Sequence, residues 1–266
     1  MTAATASVPV RPARPPRSAL RLGLLHAKYQ FLEAIRIPIA VIGTMMFPTL
    51  AMVFFVVPNQ AVAQNPVFAT AAVAQLGMFS IMATCLFTYG TGVAEDRDRP
   101  FDPYMRTLPA GASAQMIGRV ANGLIFAALG LLPLVLAGWI LTAATLSWSR
   151  LLVSVLTILA LAIPFTMLGL GIGYSLPSKA AIAVVQVVLF PLAFAGGLFL
   201  PPQMFPGWLD AFSQALPSRA GRDLLVQVTS GEPAYGLALP VLLGWTVLFA
   251  VFVVWAYRRD EGRRFR

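Results

Sequence analysis

Six long stretches of this chain carry no charged side chain, at roughly 37–57, 67–92, 120–142, 151–176, 180–200 and 237–257. The hydrocarbon core of a bilayer is about 30 Å thick and takes roughly 20 apolar residues of helix to cross. In hydrocarbon every backbone N–H and C=O must be satisfied within the segment itself, which leaves the helix as the form such a run takes. The expected fold is therefore an all-α membrane protein with six transmembrane helices. Only 11% of the 266 residues are charged, against about 25% in an ordinary soluble domain. A soluble enzyme is excluded on that ground.

The charges that remain fix an orientation. Lys and Arg concentrate in cytoplasmic segments. With the N-terminus inside, sixteen of the nineteen bases fall on the cytoplasmic side and three, Arg150, Arg219 and Arg222, fall outside. Both termini are expected to be cytoplasmic. The net charge of +9 is spread around the hydrophobic runs and gathered on no single arm, so it argues against a nucleic-acid partner. One cysteine, Cys85, lies within an apolar run, and a lone cysteine forms no disulfide within its own chain. Arginine far outnumbers lysine, a composition suggestive of a GC-rich bacterial genome.

Residues 1–17, rich in Pro, Ala and Arg, are expected to be a disordered cytoplasmic tail with no cleaved signal. Residues 18–36 carry helical periodicity. Leu20, Leu24, Ala27, Phe31, Ala34 and Ile35 fall in one sector about 100° wide, with Arg21, Lys28 and Arg36 beside it. This predicts an amphipathic helix lying in the membrane interface, among the lipid headgroups. It acts either as an anchor or as a brace that also touches a cytoplasmic partner. The transmembrane domain then spans 37–257, and 258–266 form a basic cytoplasmic tail.

Between spans 2 and 3, residues 93–119 form the richest polar segment. Glu95, Asp96, Asp98 and Asp102 alternate with Arg97, Arg99 and Arg106, while Phe101, Tyr104, Met105 and Leu108 add apolar anchors. The interleaved arginines oppose metal chelation, and the spacing matches no calcium loop. Either a solvated turn or a docking surface fits, and the mixture of aromatic residues, Arg and fixed charge favours docking. The external segment 201–236 is expected to hold short interfacial or re-entrant helices, with Pro206, Trp208 and Phe212 at the outer interface.

Absences narrow the function. Every Asp, Glu, Lys and Arg lies outside the span centres, and membrane-embedded ionisable groups are the usual mark of ion-coupled carriers. The spans offer neutral polar groups, of which Gln75, Thr84, Asn122 and Gln186 are placed to line a path or to bond between helices. Neither lysine, Lys28 or Lys179, follows the glycine that a phosphate-binding loop requires. Energy for uphill transport would come from another polypeptide. The rival readings are an ion-coupled carrier acting alone and a membrane scaffold or small membrane enzyme.

Two stretches resemble the permease subunit of ABC-2 type (ATP-binding-cassette) exporters of drugs, antibiotics and polysaccharides. The first is VAEDRDRPFDPYMRTLP behind span 2, although Arg99-Pro100-Phe101-Asp102-Pro103 stands where the family has Gly-Thr. The second is FPLAFAGGLFLPPQMFPGWLDAFSQALPSRAGRDLL, in which Gly196, Gly197, Pro206, Trp208, Leu209, Leu216, Pro217 and Asp223 follow the family pattern in order. By order of elements the resemblance covers the chain after about its first 20 residues. It implies a dimer of permease chains, each beneath a separate ATP-binding subunit, which would hold ATP and Mg. This chain would then carry no cofactor, metal or catalytic residue. The ATPase would dock on Glu95, Asp96, Arg97, Asp98, Phe101, Tyr104, Arg106 and Leu108. The expected location is the bacterial plasma membrane, as a multi-pass protein, with an amphipathic or hydrophobic small molecule as cargo.

Overall fold

A computed structural model describes residues 18–36, 46–99 and 112–264, and these are almost wholly helical. In chain order the helices are α1 (Ala19–Ile35), α2 (Met46–Val56), α3 (Gln60–Ala63), α4 (Pro66–Asp98) and α5 (Ala112–Leu141). They continue with α6 (Trp148–Ser175), α7 (Ser178–Ala195), a 3₁₀ turn at Pro202–Met204, α8 (Gly207–Ser213), α9 (Pro217–Ser230) and α10 (Ala238–Arg264). Among the described residues five helices are long and apolar enough to cross a membrane, lying in α4, α5, α6, α7 and α10. Of the remaining expected span, 37–57, the described residues include the shorter apolar helix α2, and residues 37–45 lie outside them.

The helices begin and end where local chemistry satisfies their backbones. Asn65 starts α4 by accepting from the N–H groups of Val67 (3.0 Å) and Phe68 (3.3 Å), with Pro66 in the first turn where no N–H is needed. Gly231 ends α9 in the left-handed region at φ +88°, a conformation that glycine adopts without a Cβ penalty. Pro133, Pro164 and Pro191 lie inside α5, α6 and α7 without ending them.

The bundle is organised around α4. Of its most apolar window 89% is buried, against 17–33% in the other four long helices. Its sequence explains the position. Ala69, Ala71, Ala72, Ala74, Gly77 and Ala83 give it a thin profile, so that neighbours can approach from every side. In contact with it are α5, α6, α7 and α9, while α1 packs on α5 and α10 on α6. The apolar sector of α1 is divided: Ala27 is buried and Phe31 meets Phe126 of α5 at 5.6 Å, whereas Leu20 and Leu24 stay exposed.

A π turn over Leu86–Thr91 interrupts the α-helical pattern of α4. The widened turn places Tyr89 against α5, where its hydroxyl donates to the Arg119 carbonyl at 2.9 Å. On the other side α6 comes within backbone contact. A Cβ added at Gly169 would sit 2.8 Å from the Cys85 carbonyl oxygen, and one at Gly173 would sit 2.5 Å from that of Tyr89. Gly171, two residues along and so on a different face of α6, is filled by Phe252 of α10. Alternate glycines thus seat two different helices.

Replacing Gly173 with Ala should force α6 away from α4, because backbone atoms meet the new methyl group. Overpacking of this kind costs about 1–3 kcal/mol. Thermal unfolding of the detergent-solubilised protein should show a lower Tm for Gly173→Ala and none of that loss for Gly244→Ala, where a Cβ meets nothing within 4 Å.

Candidate functional site

Among the described residues the ion pairs are confined to the two ends of the bundle. At the end where α4 finishes, four consecutive residues each reach a different neighbour. An α-helix turns about 100° per residue, so side chains 96 to 99 sweep most of a circle. Asp96 accepts from Arg119 Nη2 of α5 at 3.1 Å. Arg97 donates from Nη1 to the carbonyls of Gly173 (2.5 Å) and Leu176 (3.2 Å) at the end of α6, and pairs through Nη2 with Asp260 of α10. Asp98 accepts the backbone N–H of Ser178, the first residue of α7, at 3.0 Å. Arg99 reaches Glu33 of α1 at 3.2 Å. Glu95 is exposed.

Burial separates these contacts in strength. Arg97 and Asp260 are 15% and 4% exposed, while Arg99 and Glu33 are more than half exposed. An exposed ion pair contributes little. An Arg fork shared among two carbonyls and a carboxylate fixes geometry as well as charge.

The opposite end is closed by α8 and α9. Arg219 donates to Asp223 (2.9 Å), Asp210 (3.0 Å) and Ser213 (2.9 Å), and Arg222 to Asp223 at 2.6 Å. Burial pulls the Arg222 guanidinium below the ordinary arginine value, with the Asp223 carboxylate acting against that fall. Tyr235 donates to the Gln214 carbonyl at 2.6 Å, and burial, aided by the Asp223 charge, pushes its phenol up to about 12. Arg150, near the start of α6, donates to the Thr229 carbonyl at 3.1 Å in the last turn of α9. The N-terminal half of α9 turns inward: a Cβ at Gly221 would lie 2.7 Å from Met78 Cε of α4.

The residues singled out from the sequence fall in distinct places. Asp96, Arg97 and Asp98 have partners inside the chain, and Glu95 faces outward. Phe101, Tyr104, Arg106 and Leu108 lie outside the described residues. Gln75, Thr84 and Asn122 are buried within the bundle at 7%, 9% and 8% exposure. Gln186 stands on the outer face of α7 beside exposed Ile182, Val187 and Phe190, and is not brought together with the other three. Pro206, Trp208 and Phe212 are exposed on α8 and its approach. Sequence reasoning missed Arg119, Asp260 and the arginines of α9 as structural partners. Asp260 did carry a signal, as one of only two acids in a strongly basic tail.

Long apolar helices packed around a buried centre, with their ion pairs kept to the ends, define a multi-pass helical membrane protein. The ABC-2 type transporter family matches this sequence over residues 24–229, and the chain belongs to that family. It is 28% identical over 190 residues to YvfS of Bacillus subtilis (strain 168), described as a transport permease, covering 70% of this chain and 76% of that one. It is 26% identical over 193 residues to the daunorubicin resistance ABC transporter permease protein DrrB1 of Streptomyces coeruleorubidus, covering 69% and 67%.

Removing one member of a buried charge cluster leaves the others uncompensated, at a cost of about 3–5 kcal/mol. Asp223→Asn, which strips both Arg219 and Arg222 of a carboxylate, should therefore lower Tm far more than Glu95→Gln at its exposed position. A thermal melt of the purified variants that ranks them equally would refute the assignment of α9 as a buried, charge-balanced helix.

Proposed function

We propose that this chain is the membrane subunit of an ATP-driven exporter that moves an amphipathic or hydrophobic compound outward across the bacterial plasma membrane. ATP and Mg are held by a separate ATP-binding subunit, and two permease chains enclose the path. The end carrying Arg97 is cytoplasmic, in keeping with the bias of the basic residues, and the α8–α9 end is external. Membership of the ABC-2 family supports the exporter reading, as does the daunorubicin resistance permease among the relatives.

One observation carries the cargo class. Beyond its first turn, where Lys179 is exposed, the exposed face of α7 is apolar except for Gln186, an amide that makes no hydrogen bond among the described residues. Lipid chains offer such a group nothing, so this face belongs against a partner chain or a cargo that can bond to it. A surface of Ile182, Val187, Phe190 and Phe194 with one amide suits a largely apolar compound bearing a few polar groups.

Purification of the tagged chain in mild detergent should bring down a stoichiometric protein with a glycine-rich phosphate-binding loop. Replacing Glu95 and Arg106 together with Ala should reduce its retention about tenfold, the equivalent of ~1.4 kcal/mol of docking free energy. Gln186→Leu should leave retention unchanged and lower ATP-dependent efflux, with daunorubicin as the first probe. Efflux by the chain alone in liposomes, with no ATPase present, would favour an ion-coupled carrier instead.

A further inference from the structure

Arg97 and Asp98 sit on either side of the short α6–α7 turn, and their charges match the helix ends they touch. The guanidinium of Arg97 meets the carbonyls of Gly173 and Leu176, at the negative end of α6. The carboxylate of Asp98 meets the Ser178 N–H at the positive end of α7. Through Asp260 the same guanidinium holds α10. Three helices beyond α4 are thus fastened to its last turn by two adjacent residues.

The opposite end of α7 is fixed as tightly. A Cβ at Gly196, where α7 stops, would collide with Ser218 Oγ in the first turn of α9, and Ser218 is fully buried. Between these two ends α7 is an 18-residue helix that continues past Pro191 without a break, hydrogen-bonded at its start and close-packed at its finish. The α6–α7 turn is thus tied to the end of α4, and α7 joins that turn to α9 at the other end of the bundle.

We propose that the Arg97–Asp98 clamp, α7 and the Gly196–Ser218 contact form the relay by which movement at the ATPase-facing end reaches the external helices α8 and α9. Arg97 and Asp98 are positioning residues in this relay, Arg97 turned inward and Asp98 at the surface but bonded to the start of α7. Glu95, also exposed, is left outward for a partner. The relay rests on the exporter reading above.

The test spares the docking residues and removes the far partner of each tie. Ser178→Pro deletes the N–H that Asp98 accepts while placing proline at the first helical position, where it is tolerated. Asp260→Asn removes the carboxylate held by Arg97. Both are made in a chain carrying Met204→Cys, an exposed external position, and Cys85 is buried and silent to reagent. The chain and its co-purified ATP-binding protein are placed in nanodiscs, and the rate of maleimide labelling is measured with and without ATP and vanadate. The parent should show an ATP-dependent change in rate. Each variant should keep ATP hydrolysis and lose that change. If Ser178→Pro fails to fold, Asp260→Asn decides alone, and if that also fails, Ser178→Ala, which keeps the N–H and should behave as the parent, against Asp260→Glu, which misplaces the carboxylate and should lose the change, carries the comparison. An undiminished labelling change in the variants overturns the relay, as does a parallel fall in hydrolysis and labelling. A parent that purifies without an ATP-binding protein overturns the exporter reading itself.

Discussion

Everything in this bundle depends on how closely α6 can lie against α4. Their backbones meet at the π turn, where Gly169 and Gly173 face the carbonyls of Cys85 and Tyr89 with no side chain between them. In hydrocarbon there is no solvent-driven force to press helices together, so packing of this closeness is a main source of cohesion. The π turn makes the contact possible by shifting the register of α4. It also aims Tyr89 at α5, where Gly123 leaves room for the ring and a main-chain carbonyl accepts the hydroxyl. One irregular turn thereby holds a helix on each side.

The gross architecture was legible because the bilayer imposes it. Uncharged runs of spanning length mark helices whatever their side chains, and all five long apolar helices fall on such runs. The way the helices pack was not legible. Gly169, Gly171 and Gly173 recur at every second position of α6, and nothing local says that Gly171 faces α10 while its neighbours face α4. That division follows from the 3.6-residue period combined with a three-dimensional arrangement the sequence does not state. The π turn in Leu86–Thr91 was invisible for a similar reason, since its residues would serve equally well in an ordinary helix.

The polar residues teach the same lesson at finer scale. Asp96, Arg97 and Asp98 looked like one docking surface because they are adjacent in sequence. Helical rotation sends them to α5, to α6 and α10, and to α7. Gln75, Thr84, Asn122 and Gln186 looked equivalent because all are neutral and polar. Burial divides them, with three inside the bundle and Gln186 on its surface. Adjacency and chemical type are properties of the chain, whereas partnership is a property of the fold.

The burial of α4 bears on how the molecule is assembled. Its hydropathy, 1.6, is the lowest of the five long helices, and it carries Gln75, Ser80 and Thr84 on a surface that ends up covered from all sides. Synthesis proceeds from the N-terminus, so α4 is made before the helices that cover it, and α9, which packs against its Met78, is finished only at residue 230. Until then part of the α4 surface lacks the cover that its polar groups need in hydrocarbon. The cover of α4 is therefore complete only after residue 230, so the least hydrophobic of the five long helices depends on a segment made late in synthesis.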